Sequence, residues 1–197
     1  MRLDAEFVSS ALAMDQCPRW DRSEIAVAGR SNVGKSSLLN ALCGQSHLAR
    51  TSKTPGRTRC LNFFSVGNKL ALVDLPGYGY AKMGHADAAR IGALMQDYLH
   101  NRSNLDALVI LVDARRGPEH EELELSELCE QLNLEPIVAA TKSDKLRRSE
   151  RAIARARFEV MGIEPMMCSA ADGEGIEELR WRILEVGQSN RRRVKQR

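Results

Sequence analysis

Residues 29–36 read Gly29-Arg30-Ser31-Asn32-Val33-Gly34-Lys35-Ser36, between the apolar run Ile25-Ala26-Val27-Ala28 and the helically spaced Leu38, Leu39, Ala41 and Leu42. Strand, glycine-bearing turn and helix, in that order, make a phosphate-binding loop. Gly29 and Gly34 let the backbone curl so that successive N–H groups, from Gly29 through Ser37, face one anion at the positive end of the following helix. Lys35 can reach β- and γ-phosphates, and Ser36 can offer its hydroxyl to Mg²⁺.

Working outward, short apolar runs near 24–28, 60–66, 69–73, 107–112, 136–140 and 164–168 predict strands. Helical spacing falls near 35–43, 87–100, 119–132, 149–160 and 175–187. Gly67-Asn68 reads as a hairpin turn, and runs such as Leu108-Val109-Ile110-Leu111-Val112 suit a sheet covered on both faces. The expected fold is α/β: a P-loop domain over 23–188 with a mostly parallel six-stranded sheet, one antiparallel edge strand and helices on both faces. Residues 1–22 read as an extension packing on this domain, and 189–197 as a basic, disordered tail. The polar segment 44–59, with Pro55-Gly56 and no clear period, reads as a mobile loop over bound phosphates.

The 197 residues are 43% apolar and 28% charged, as in a water-soluble globular protein, and no run has the length a membrane span needs. The first residues do not resemble a signal peptide. Cys17, Cys43, Cys60, Cys129 and Cys168 are odd in number, scattered and without a Cys-x-x-Cys pair, which suits free structural thiols in a reducing cytoplasm. The net charge of +3 is unevenly spread. Residues 119–130 are rich in Glu, whereas 145–157 (Lys145, Arg147, Arg148, Arg151, Arg155, Arg157) and 191–197 are basic. The basic segments fit an anionic partner such as nucleic acid; a solvated surface with a frayed tail is the alternative.

Asp74-Leu75-Pro76-Gly77 follows the strand Leu70–Val73, where Asp74 can hold Mg²⁺ and the Gly77 N–H can sense a γ-phosphate. Thr141-Lys142-Ser143-Asp144 ends another apolar strand. The Asp144 carboxylate can accept from guanine N1–H and the 2-amino group, and the Lys142 stem can lie against the base. Adenine lacks that donor pair. A backbone N–H at Ser169-Ala170 can donate to guanine O6. Thr54 and Thr58 compete as the hydroxyl that closes over Mg²⁺, and the residues alone do not separate them.

These pieces, with Thr54-Pro55-Gly56-Arg57-Thr58, Asn62-Phe63-Phe64 and Asp74-Leu75-Pro76-Gly77-Tyr78-Gly79-Tyr80-Ala81, make the chain resemble the EngB (YihA/YsxC) branch of bacterial ribosome-assembly GTPases, within the Era/TrmE-like class. The likeness runs from about residue 7 to 188. It implies GTP binding and hydrolysis to GDP with Mg²⁺ on Ser36, Asp74 and Thr58, the last preferred to Thr54. It also implies association with the large ribosomal subunit precursor, its ribosomal RNA and ribosomal proteins, and a role in the cell cycle and septation. A cytoplasmic monomer off the ribosome, without a membrane partner, is expected.

Small switch GTPases place a water-orienting glutamine after Asp-x-x-Gly, but Tyr78 stands there and cannot copy it. Slow intrinsic turnover is expected, with Lys35, Thr58 and Gly77 as the catalytic groups. Related K⁺-activated GTPases place an asparagine at the position of Asn32, which makes it a K⁺-ligand candidate; bracing of the loop by hydrogen bonds is the alternative. Tyr78 and Tyr80 read either as anchors for a partner or as packing against the neighbouring helix. A GTP-gated interaction module, whose bound surface rather than turnover does the work, is the rival description.

Overall fold

The computed structural model describes residues 2–49, 60–68, 70–79 and 84–194, with side chains to residue 188. Seven strands and five α-helices follow in the order β1 (Ala5–Ala11), β2 (Ser23–Gly29), α1 (Lys35–Cys43), β3 (Leu61–Val66), β4 (Leu70–Asp74), α2 (His85–Asn101), β5 (Leu105–Asp113), α3 (His120–Gln131), β6 (Glu135–Thr141), α4 (Arg148–Glu159), β7 (Met166–Met167) and α5 (Ile176–Val194). One sheet runs β1-β3-β4-β2-β5-β6-β7. β4, β2, β5, β6 and β7 are parallel neighbours, and β3 is antiparallel to both β1 and β4.

The α/β class stands, with seven strands rather than six. The added strand is β1, which pairs Ala5 with Val66 and Ala11 with Leu61. Its sequence, Ala-Glu-Phe-Val-Ser-Ser-Ala, carries no strict alternation, and a register shift between Phe7 and Ser9 breaks its pattern further.

All seven residues of β2 are buried, because the sheet is covered on both faces. Ile25 and Val27 pack with Leu38, Leu39 and Leu42 of α1 and with Leu179 and Ile183 of α5. Ala26 and Ala28 face Leu94 and Tyr98 of α2, Cys129 of α3 and Phe158 of α4. Each large apolar side chain buried this way contributes about 2 kcal/mol.

At the amino end of β2, Glu24 is fully buried and accepts hydrogen bonds from Trp20 Nε1 (2.5 Å), the Tyr98 hydroxyl (2.7 Å) and Arg102 Nε (2.9 Å). Arg102 also donates to the Pro18 carbonyl at 2.7 Å. A buried carboxylate is tolerated because its lone pairs are filled and its charge is matched. This cluster ties residues 18–20, β2 and α2 together.

At the carboxyl end the register sets Val27 against Asp74, Gly29 against Leu111 and Asp113 against Thr141. The loops that follow these strands therefore open on one side of the sheet. After α1, the Asn40 side chain accepts from the Ala49 N–H (2.7 Å) and donates to the Ala49 carbonyl (3.0 Å), so the start of the segment expected to be a mobile loop is pinned. The backbone of α5 extends to Val194, into the stretch expected as a tail.

Candidate nucleotide site

The loop between β2 and α1 is shaped by steric exclusion at its start and by left-handed residues along it. A Cβ on Gly29 would lie 2.8 Å from Val33 Cγ1 and 2.9 Å from Leu111 Cβ. Asn32 (φ 65°) and Gly34 (φ 105°) are left-handed, a conformation that Gly adopts freely and Asn tolerates. The Val33 N–H donates to the Arg30 carbonyl (3.1 Å), and Leu38 N–H to Gly34 O (2.9 Å) begins the helix. Lys35, 9% exposed, forms an ion pair with Asp74, 3% exposed, and Asn62 Nδ2 lies 3.4 Å from the second Asp74 oxygen. Ser36 follows in the first turn of α1. The lysine expected on phosphate and the carboxylate expected at metal thus meet between β2 and β4.

The segment after Asp74 lies against the loop. Leu75 N–H donates to Val27 O and Ser31 N–H to Tyr78 O, each at 3.0 Å, and a Cβ on Gly77 would sit 3.3 Å from Ser31 Oγ. The Tyr78 hydroxyl donates to Glu122 Oε1 of α3 at 3.0 Å. Burial, reinforced by the Glu122 carboxylate, pushes its phenol pKa well up. Tyr78 therefore packs against the neighbouring helix. The Arg30 guanidinium pairs with Glu119 and Glu121, so its backbone belongs to the loop while its charge is directed to the start of α3.

The third segment braces the first. Thr141 Oγ1 is 2.7 Å from the Val33 carbonyl and 3.2 Å from that of Val112. Lys142 Nζ donates to the Asn32 carbonyl (2.6 Å) and to Asp113 Oδ2 (2.9 Å), with its stem crossing Gly34. Asp113, at the end of β5, also accepts from Arg115 Nε (2.9 Å) and Nη2 (2.6 Å). Burial alone would push its carboxyl pKa up, but the hydrogen bonds from Arg115 and Lys142 win and hold it at about 2. Asp113 was not singled out from the sequence. The available signal was an acid at the carboxyl end of an apolar strand, the same signal that picks out Asp74.

Asp144 accepts from Ser169 Oγ (3.0 Å) and from Lys145 Nζ (3.0 Å), and the Lys145 hydrogen bond holds its carboxyl below the usual range. Ser169 Oγ accepts in turn from the Ala171 (3.2 Å) and Asp172 (3.3 Å) N–H groups, forming a tight turn that contains Ala170. Beneath it, Glu174 accepts from Ser143 Oγ (2.6 Å) and pairs with Arg151, fastening the turn after β7 to the turn after β6. Lys145 and Arg151, expected in a basic surface stretch, are thus engaged by carboxylates of the site. Glu174 and Arg151 carry no local motif and were legible only in three dimensions.

Gly29–Ser37, Asp74–Gly77, Thr141–Asp144 and Ser169–Ala170 therefore converge. Together they offer a curled backbone with one buried cation, a buried carboxylate near a hydroxyl, and a second carboxylate beside a hairpin of N–H groups. Thr54, Thr58 and Tyr80 lie outside the described residues.

The family described as 50S ribosome-binding GTPase matches residues 24–142. A probable GTP-binding protein EngB from Geotalea daltonii is 42% identical over 184 residues, 91% of this chain and 88% of that protein. The crystal structure of a probable GTP-binding protein engB matches with a TM-score of 0.67 and 30% identity, covering 84% of this chain and 98% of that one. A structure of Era in complex with MgGDPNP and nucleotides of 16S ribosomal RNA matches with a TM-score of 0.65 and 25% identity, covering 83% of this chain and 56% of Era.

Proposed function

The chain belongs to the EngB family of GTP-binding proteins and is a GTPase, and from this premise we propose that it is a slowly hydrolysing, guanine-specific switch that assists assembly of the large ribosomal subunit in the cytoplasm. The observation that carries guanine specificity is the Asp144 carboxylate. It is fixed between Ser169 and Lys145 in a segment whose Thr141 and Lys142 hold the phosphate loop. A bound guanine donates N1–H and N2–H to Asp144, which is ionised throughout the neutral range, while the Ser169–Ala170 turn offers an N–H to O6. Phosphates lie against the N–H groups of Gly29–Ser37, with Lys35 on the β- and γ-oxygens and the Gly77 N–H on the γ-phosphate.

The donor set fits Mg²⁺: a buried carboxylate, Asp74, at the strand end, and the hydroxyl of Ser36 in the adjacent helical turn, both hard oxygen ligands. Thr58 would complete it. Bound Mg²⁺ neutralises charge developing on the phosphate oxygens. Lys35, now paired with Asp74, turns to phosphate when GTP is seated. Tyr78, neutral and engaged by Glu122, supplies no base, so intrinsic turnover is on the order of 10⁻³ per second or less. Titration of GTP, GDP and ATP by calorimetry tests the specificity, and ATP binding as tight as GTP would refute it.

Asn32 supports a K⁺ contribution, because its backbone is left-handed and its side chain exposed at the loop. Turnover in KCl against NaCl at equal ionic strength, with Asn32→Ala, tests this, and equal rates would reject it.

The ribosomal destination is supported by the family description and by the basic segments, where Arg147, Arg148 and Arg155 are exposed. Such groups make phosphate contacts blind to base sequence, each contributing roughly 0.7–0.9 to the logarithmic salt slope. Sedimentation with large-subunit precursors in GTP and GDP at two salt concentrations tests it. No association of the GTP-bound protein at low salt would refute the assignment and leave the nucleotide site untouched.

A further inference from the structure

On the side of the sheet away from β1, β7 pairs only with Ala139 and Ala140 of β6. Among the described residues, no strand continues β7 alongside Pro136, Ile137 and Val138. This open sheet edge is the floor of a groove of about 1140 Å³, walled by α3, the 161–166 segment and α5. Trp181 stands in the α5 wall with 57% of its surface exposed, and Met161 opposite it is 44% exposed. An amphipathic ring this open is an unusual surface residue and a common anchor for a partner.

The groove is acidic as well as apolar. Glu127 and Glu130 of the glutamate-rich α3, Glu164 and Glu178 line it. Its guanidinium groups are Arg155 and Arg182, and Arg182 is neutralised by Glu135 and Glu185. The start of the acidic helix is engaged beside the phosphate loop, Glu119 and Glu121 by Arg30 and Glu122 by Tyr78, whereas Glu127 and Glu130 further along it line the groove. A carboxylate-rimmed surface repels RNA phosphates and attracts lysine and arginine.

We propose that this groove is a docking site for an extended, arginine- or lysine-rich polypeptide segment with apolar side chains between its charges. The segment lies along the open edge of β6 as a continuation of β7, its main chain accepting from the Val138 N–H and donating to the Pro136 carbonyl, which alternate toward this edge with the Ala140 carbonyl that accepts from Cys168 N–H. Its side chains alternate between apolar and cationic along the groove. Apolar ones pack on Trp181 and Met161, and cationic ones meet Glu127, Glu130 and Glu178. Of Arg147, Arg148 and Arg155, proposed to contact ribosomal RNA, only Arg155 borders the groove.

The probe is a short labelled peptide of alternating arginine and leucine, titrated against the full-length protein by fluorescence anisotropy while tryptophan emission is followed. A peptide of alternating glutamate and leucine and a short RNA oligonucleotide serve as competitors. Binding is expected with a blue shift that is lost in Trp181→Phe, and with slowed amide exchange at Val138. Charge reversal by Glu127→Lys, Glu130→Lys and Glu178→Lys together should weaken the arginine peptide by about tenfold or more while leaving GTP affinity unchanged. The glutamate peptide and the RNA should not compete. Equal affinity for both peptides, binding indifferent to charge reversal, displacement by RNA, or unaltered exchange at Val138 would each overturn the proposal. GTP affinity is measured on every variant, so loss of the fold is recognised separately.

Discussion

Asp113→Asn isolates the ion-pair cluster that joins β5 to the base-reading segment. The substitution keeps the shape, removes the charge, and leaves Lys142 and Arg115 facing a neutral amide. With the carboxyl held at about 2 against an ordinary value of 3.8, and 1.36 kcal/mol for each tenfold change in proton affinity, the ionised group contributes about 2 kcal/mol to stability near neutral pH. This is an upper value, since Arg115 is half exposed although Asp113 itself is only 9% exposed. The folded pKa is depressed, so the contribution is present above the unfolded value and is lost as pH falls through the folded one. Near pH 3 about 1 kcal/mol should remain. Urea denaturation of both proteins at the two pH values measures it. A gap near neutral pH that is absent, or that fails to shrink in acid, would refute the reasoning. The variant should also bind GTP more weakly, because Lys142 loses one of its two anchors.

Asp144→Asn removes the charged acceptor for guanine and should lower GTP affinity by about 1.5–3 kcal/mol with little change in the thermal midpoint, read by calorimetry and a melting curve. Gly29→Ala puts a methyl group against Val33 and Leu111. It should cost about 1–3 kcal/mol in urea denaturation and weaken nucleotide binding as the loop shifts. Glu24→Gln leaves Arg102 without its counter-charge in the buried cluster. A loss of about 3–5 kcal/mol is expected, lowering the midpoint by roughly 6–20 °C for a chain of this size, with nucleotide affinity retained below it because Glu24 lies at the opposite end of β2.

What the sequence made legible was whatever repeats locally. The apolar strand, glycine turn and helix around residues 25–42 announce their geometry because phosphate binding needs consecutive backbone N–H groups. The five helices and the strands from β2 onward follow from uninterrupted periods. β1 was hidden because its residues face unlike surroundings and its register shifts. Asp113, Glu174 and Arg151 were hidden because their partners lie in other elements: Lys142 across a strand pair, Ser143 across a turn. The partners of the Arg30 charge were hidden for the same reason. Its neighbours in sequence are the loop, whereas its neighbours in space are Glu119 and Glu121. Long-range ion pairs have no period to read.

The pairing of β1 with β3 also governs how the chain comes into being. Ala5–Ala11 leaves the ribosome ahead of its hydrogen-bonding partner Leu61–Val66, which follows about 50 residues later, several seconds at usual synthesis rates. During that wait Phe7 and Val8 lie on an unpaired edge, the kind of segment that recruits stray strands. The flanking Glu6 and the two serines that follow blunt that hazard. The sheet cannot gain this outer strand until β3 exists, so a strand made before its neighbour is among the last to be secured.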